Sequence, residues 1–118
     1  MKSLNQAVIQ RALDKDIEVL KAASLVTKTR PTRGWLHTVR NALGLTQRVV
    51  GTKAGIKQQA FRQWEMREVK GSITLGSLKR AATAMDCDLV YFLVPKPVVA
   101  TSFTDLAGRS EKEVTVGE

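Results

Sequence analysis

Residues 47–66 read QRVVGTKAGIKQQAFRQWEM, and this stretch decides the fold that the sequence predicts. It has the spacing of two short helices joined by a tight turn, which is the helix-turn-helix arrangement. Gly55 stands at the corner, where the chain must take a positive φ that glycine tolerates at little cost. Small or apolar residues recur at helical intervals, and we expect them to set the angle between the two helices. These motif-core residues are Val50, Gly51, Ala54, Gly55, Ile56, Phe61 and Trp64.

The outer face of the second helix carries polar side chains that suit double-stranded DNA. Glutamine amides can pair with adenine, and arginine with guanine, at base edges in the major groove. Four such side chains begin the helix and share its solvent face, so they are the predicted base-reading residues: Gln58, Gln59, Arg62 and Gln63. A second set is predicted to bind phosphates, partly from helix ends. That set comprises Thr46, Gln47, Arg48, Lys57 and Lys70.

Composition supports a polyanionic partner. The 118 residues contain 19 Lys and Arg against 11 Asp and Glu, a net charge of +8, which favours binding to nucleic acid. A single cysteine, Cys87, excludes an internal disulfide and is typical of a reducing cytoplasm. No apolar run approaches the roughly 18 residues of a membrane span, so we expect a cytoplasmic protein.

The sequence shows no arrangement of residues that is typical of catalysis or metal binding. The carboxylates form no pair typical of acid–base chemistry, and no nucleophile lies in a recognisable catalytic motif. With His37 as the one histidine, a zinc site lacks ligands. The sequence therefore predicts no enzyme, no cofactor and no metal.

The chain divides into three segments. Residues 1–33 are predicted to be an N-terminal amphipathic helix, capped at Ser3, with a basic linker that contains Arg30 and Arg33. Residues 34–88 are the predicted helix-turn-helix DNA-binding domain, and residues 89–118 a strand and C-terminal tail. The linker arginines either are solvated or reach DNA as an arm in the minor groove.

Inside the middle segment we expect four helices. They span about 35–43, 47–54, 57–67 and, after a cap at Thr74 or Ser77, a stretch ending at Met85. The aromatic residues Trp35, Phe61 and Trp64 are predicted to be core, and Cys87 a small buried residue. The inward residues expected in the first and last of these helices are Trp35, Val39, Ala42, Leu43, Leu75, Leu78, Ala82 and Met85.

Residues 89–94, LVYFLV, predict a buried strand because they are rich in β-branched and aromatic residues and end at Pro95. A lone strand cannot satisfy its own backbone groups. Its partner is residues 97–103, residues 114–116 or the same strand of a second subunit, which we favour. Ser102, with Asp105 three residues on, predicts the cap of a C-terminal helix over 102–113.

The motif strongly resembles the lambda-repressor-like, or Xre-type, helix-turn-helix family. The matching text is Gly44-Leu-Thr-Gln47, the small residue Gly51, Ala54-Gly-Ile56, and the glutamines of the second helix. The resemblance implies a mainly α fold: a five-helix repressor-like domain with an N-terminal helix, one C-terminal β-strand and a short tail. It also implies a structural ion pair between Arg40 and Glu65. Position 51 departs from the family, which usually has alanine there.

A narrower resemblance, to the "mobile mystery protein A" group, rests on Arg33-Gly-Trp35, Gly71-Ser-Ile-Thr-Leu75 and residues 84–95. That group is encoded beside a Fic-domain protein. The resemblance implies an antitoxin-like or autoregulatory bacterial repressor. Because repressor-like domains read two half-sites about one helical turn apart, we expect a homodimer that acts on an inverted-repeat operator and is nucleoid-associated when bound. The alternative is a protein-interaction antitoxin that neutralises a Fic-type toxin, with DNA binding secondary. An ordinary helical hairpin with a basic face, an enzyme and an RNA-binding protein are the remaining readings.

Overall fold

A computed structural model describes residues 3–29 and 31–116, with side chains for residues 3–28 and 31–109. Within those ranges the chain is helical and contains no strand. A 3-10 helix, Leu25–Thr29, follows the second α-helix. The α-helices of the described residues are α1 (Leu4–Asp14), α2 (Ile17–Ser24), α3 (Trp35–Ala42), α4 (Gln47–Lys53), α5 (Gln58–Lys70), α6 (Leu75–Ala84) and α7 (Phe103–Val116). None of them is long and apolar enough to cross a bilayer.

The described residues form two compact units. One contains the chain up to Lys28 together with the chain from Phe92 onward, and the other is Thr29–Tyr91. The second unit holds the predicted motif and the main apolar core. Phe61 and Val50 are completely buried at its centre, so α5 and α4 are held together by close packing. The other buried members of this core are Leu36, Trp64, Ala81, Ala84 and Met85.

The helix starts in this unit follow the predicted caps. Thr46 begins α4, and its Oγ1 accepts a hydrogen bond of 3.1 Å from the backbone N–H of Val49. Thr74 begins α6 in the same way, accepting from the N–H of Ser77 at 3.1 Å. Each cap satisfies a backbone donor that the first helical turn leaves without a partner.

The corner between α4 and α5 depends on two glycines. Gly55 has a φ of 76°, which is the positive value predicted for the turn. Gly51 is buried, and a Cβ there would lie 3.2 Å from the carbonyl oxygen of Ile56. The backbones of α4 and the turn thus approach closely at the position where the resembled family usually carries alanine.

The predicted inward face of α3 is wrong. Leu36 and Arg40 are buried, whereas Trp35 is 43% exposed. The helix turns this way because the Arg40 side chain points inward to a carboxylate on α5. Val39 is half-buried as expected, but the predicted inward residues Ala42 and Leu43 are exposed.

Three smaller expectations in this unit are also corrected. α5 extends to Lys70, three residues beyond its predicted end. Leu75, at the first position of α6, is exposed. Cys87 is exposed, and its thiol donates to the Met85 carbonyl oxygen at 3.4 Å.

The predicted strand at residues 89–94 is wrong, and so is the predicted five-helix count. Residues 87–96 have no regular secondary structure. Neither partner within the chain pairs with them, since residues 97–99 form a turn and residues 114–116 lie in α7. Leu93, predicted to be buried, is 83% exposed. A β-prone composition does not create a strand without a second strand to share its hydrogen bonds.

The other unit is built from the two ends of the chain. The predicted N-terminal helix is broken at residues 15–16 into α1 and α2. Ser3 and Gln6 form the predicted capping box, and Ser102 caps α7 by accepting from the N–H of Asp105 at 3.0 Å. α1 packs against α7. Asp14 joins them, because its carboxylate accepts hydrogen bonds from the first backbone N–H groups of α7.

Candidate nucleic-acid interface

α5 has one buried side and one side that faces solvent. Phe61, Trp64 and Glu65 point into the unit. At 3.6 residues per turn, the four predicted base-reading side chains occupy a sector of roughly 140° on the other side of the helix. All four are exposed in the structure: Gln58, Gln59, Arg62 and Gln63.

These four side chains have no competing partner. None of them forms a hydrogen bond or an ion pair within residues 3–28 and 31–109, the part whose side chains are described. Their amide and guanidinium groups are exposed, so they can bind another polar surface without breaking a contact among the described side chains. The surface they form is called here the reading face.

The predicted phosphate-binding residues are placed less uniformly. Arg48, Lys57 and Lys70 are exposed, and Lys70 lies on the reading face at the far end of α5, about 18 Å along the helix axis from Gln58. The hydroxyl of Thr46 caps α4. Gln47 is half-buried, and its Nε2 donates to Glu65 Oε1 at 2.9 Å. Its side-chain amide therefore already makes one hydrogen bond within the domain.

An open cleft of about 410 Å³ runs beside the reading face. Arg33, Gln47 and Arg62 line it, so one linker cation lies next to two residues predicted to contact DNA. Arg30, the other linker arginine considered as an arm, lies outside the described residues.

Residues 36–92 match the model of the helix-turn-helix family HTH_3, which is of the Xre or lambda-repressor-like kind. This segment is a helix-turn-helix domain. A domain of this kind suggests a DNA-binding regulator. The matched residues nearly coincide with the compact unit Thr29–Tyr91. A comparison with curated proteins and one with solved structures found no match.

The ion pair that the resemblance implied forms in the interior of the helix-turn-helix domain. Arg40 Nε donates to Glu65 Oε2 at 2.6 Å, and Arg40 Nη1 donates to the Leu45 carbonyl oxygen at 3.0 Å. Glu65 also lies 3.5 Å from Nδ1 of His37. One guanidinium therefore connects α3, the loop before α4, and α5.

Burial raises the pKa of Glu65, but hydrogen bonds from Arg40 and Gln47, together with the charge of Arg40, outweigh burial and hold this pKa below its usual value. The carboxylate is therefore ionised at neutral pH. A charged group this deeply buried is tolerated because its oxygens are satisfied by donors from two helices.

Glu68 is a structural residue of the helix-turn-helix domain that sequence reasoning missed. Its two carboxylate oxygens accept from the backbone N–H groups of Trp35 and Leu36, each at 2.9 Å. Gly34, the residue before α3, has no side chain to cap this helix, so Glu68 of α5 supplies the cap. The available signal was the three-residue spacing between Glu68 and Glu65, which puts both on one face of α5.

Proposed function

We propose that the protein is a sequence-specific DNA-binding transcriptional regulator, a homodimeric autorepressor of antitoxin type in the bacterial cytoplasm. It would be nucleoid-associated while bound, and it would act by occluding a promoter without any chemical step. The reading face is the observation that carries this proposal. It combines exposed amide and guanidinium groups on one side of α5 with a buried opposite side that fixes the helix in place.

The charges around the reading face support binding to duplex DNA. A well-placed bidentate contact to a base edge contributes about 1–3 kcal/mol of discrimination. Exposed cations at both ends of α5, Lys57 and Lys70, would hold the phosphates on either side of the groove. Arg48 would add a contact from the start of α4.

A homodimer is proposed because repressor-like domains read two half-sites about one helical turn, roughly 34 Å, apart. An inverted repeat then matches a two-fold protein. Residues 89–94 and the N-terminal helix are the proposed dimer surfaces. Their support is that both segments carry large apolar side chains exposed to solvent, including Leu4, Val8, Val90, Tyr91 and Leu93.

The antitoxin role rests on the resemblance to the mobile mystery protein A group, which the match to residues 36–92 does not address. A Fic-domain protein encoded next to this gene is the proposed partner. Co-expression of the two proteins tests it: a stable complex after two purification steps supports the role. If the two folded proteins elute separately, the proposed antitoxin role is wrong, while the proposed DNA binding is unaffected.

Selection from a random duplex library, followed by footprinting upstream of the protein's own gene, tests the DNA-binding proposal. We expect enrichment of an inverted repeat with half-site centres about 10 base pairs apart. The matched control replaces the four exposed residues of the reading face by alanine, which leaves the core intact and should abolish selection. A wild-type protein that binds every duplex equally, or none, overturns the proposal.

A further inference from the structure

Arg80, on α6, joins the two helices of the motif at the corner between them. Its Nη2 donates to the carbonyl oxygen of Ala54 at 2.6 Å, and Ala54 is the C-cap residue of α4. The guanidinium carbon lies 5.5 Å from the centroid of the Trp64 ring on α5. A Cβ on Gly55 would lie 3.7 Å from the same nitrogen, so Arg80 also covers the turn.

Both contacts of Arg80 suit a guanidinium. The last carbonyl groups of a helix have no partner within the helix and carry the negative end of its dipole. A cation near the face of an indole is attracted by the ring electrons. Because the guanidinium is planar and rigid, it can donate from its edge while it lies over a ring. A lysine ammonium could make only one of these contacts well.

We propose that Arg80 is a positioning residue for DNA recognition: it fixes the angle between α4 and α5 without touching DNA. This inference rests on the proposed DNA binding. Trp64 is on the buried side of α5, opposite the reading face. A rotation of α5 about its contact with α4 would therefore move the reading face relative to the phosphate contacts near Arg48 and Lys57. Site groups displaced by about 1 Å lose most of their benefit.

A direct phosphate contact is the competing role for Arg80. The residue is exposed and lines an open cleft of about 550 Å³ together with Lys53 and Lys79. These three cations could attract a polyanion. The two roles differ in salt dependence, because only a side chain that displaces counterions from DNA steepens the dependence of affinity on salt.

The experiment measures the affinity of the full chain for its best selected duplex over a range of salt concentrations. We expect R80A to weaken binding by about tenfold, from the loss of the carbonyl and ring contacts, with the salt slope unchanged. R80K should fall between wild type and R80A. K79A is the matched control, since it removes a neighbouring cation from the same helix and cleft, and it should stay within about twofold of wild type.

Two results of this binding experiment overturn the proposal. One is wild-type affinity in R80A. The other is a salt slope reduced by about one unit, the sign of a lost phosphate contact.

A second readout is independent of DNA. In a W35F background, emission reports Trp64 alone, and R80A should shift it while R80K shifts it less. Amide exchange at Gly55 and Ile56, whose N–H groups donate back into α4 at 3.0 and 2.9 Å, should speed up in R80A. If the wild-type chain selects no duplex, the proposed function fails, and these two signals still test whether Arg80 holds α4 against α5. Unchanged emission and exchange in R80A overturn the positioning role of Arg80 even where the protein binds DNA as proposed.

Discussion

Glu65 lies on the buried side of α5, where its carboxylate bonds to both α3 and α4. It is 5% exposed and accepts hydrogen bonds from Arg40 and Gln47. We expect Glu65→Gln to lower the free energy of unfolding by about 2–3 kcal/mol, because Arg40 would remain buried without its counter-charge. Denaturant titration at neutral pH measures this loss.

The loss should depend on pH. The pKa of Glu65 is lower in the folded chain than its ordinary value of 4.5, so ionisation stabilises the fold fully above about pH 4.5. As the pH falls from there through the folded pKa, wild type should lose this advantage and approach Glu65→Gln. Asp88→Asn, the same chemical change at an exposed carboxylate, is the control and should stay within about 0.5 kcal/mol at every pH. A difference that does not depend on pH contradicts the assigned ion pair.

Gly55 and Gly76 offer a matched pair of glycine substitutions. Gly55→Ala places a Cβ on a residue with a φ of 76° and should destabilise the fold by about 1–2 kcal/mol. Gly76 lies inside α6 with open space around it, so Gly76→Ala should stabilise by up to about 1 kcal/mol. Thermal unfolding of both variants measures the signs. A Gly55→Ala variant as stable as wild type, or more stable, would contradict the strain assigned to this turn.

Gln59 and Lys57 test whether base reading and phosphate binding are separate. Gln59→Ala should weaken binding to the best duplex by about 1–3 kcal/mol and relax preference at one base pair. Lys57→Ala should weaken all duplexes alike and reduce the salt slope by about one unit. Competition binding against single-base variants distinguishes them. Uniform, non-selective losses in both variants would remove the assigned roles.

Among the described residues, two helices are capped by carboxylates from elsewhere in the chain. Glu68 on α5 caps α3. Asp14 on α1 caps α7, accepting from the N–H groups of Phe103 and Thr104 at 2.7 and 3.1 Å. Burial raises the pKa of Asp14, but these hydrogen bonds outweigh it and hold this pKa below its usual value. Caps of this kind orient one helix against another, which a local serine or threonine cap does not.

Asp14→Ala should lower the stability of α7 and its packing on α1 by about 1 kcal/mol. Amide exchange over the first turn of α7 measures the effect. Asp16→Ala is the control, because the Asp16 side chain makes no capping hydrogen bond at the start of α2. Equal acceleration of α7 exchange in both variants would show that Asp14 acts only as a surface charge. The cap should also weaken as the pH falls below about 3.8.

For the assembled protein, the exposed segment 89–94 is the feature to examine. Leu93 is 83% exposed and Val98 is 94% exposed, yet only Leu93 lies in the segment proposed as a dimer surface. We expect Leu93→Asp to convert a dimer into the 13.0 kDa monomer and Val98→Asp to leave the dimer intact, since an unpaired charge is costly only where it is buried. Sedimentation equilibrium measures both masses. A monomeric wild type, or a dimeric Leu93→Asp, contradicts this interface.

Local features of the helix-turn-helix domain were predictable from the sequence. The Thr46 cap, the positive φ of Gly55 and the exposure of the four residues on α5 all follow from neighbours within a few positions. Hydrogen bonds and periodicity at such short range depend little on the remainder of the fold. The Arg40–Glu65 pair was anticipated only through family resemblance, since nothing in the spacing of those two residues specifies it.

Contacts between residues distant in the chain were decided by packing. Three observations depend on how the helices pack together. They are the face of α3 that turns inward, the capping of α3 by Glu68 and the hydrogen bond from Arg80 to Ala54. The predicted strand failed for the related reason that β-structure needs a second backbone, and residues 89–94 have none within the described chain. Short-range chemistry thus settles which helices form and where they start. How those helices are oriented is decided by the burial of side chains that are far apart in the sequence. The free energy of that burial comes from contacts that exist only once the chain is folded.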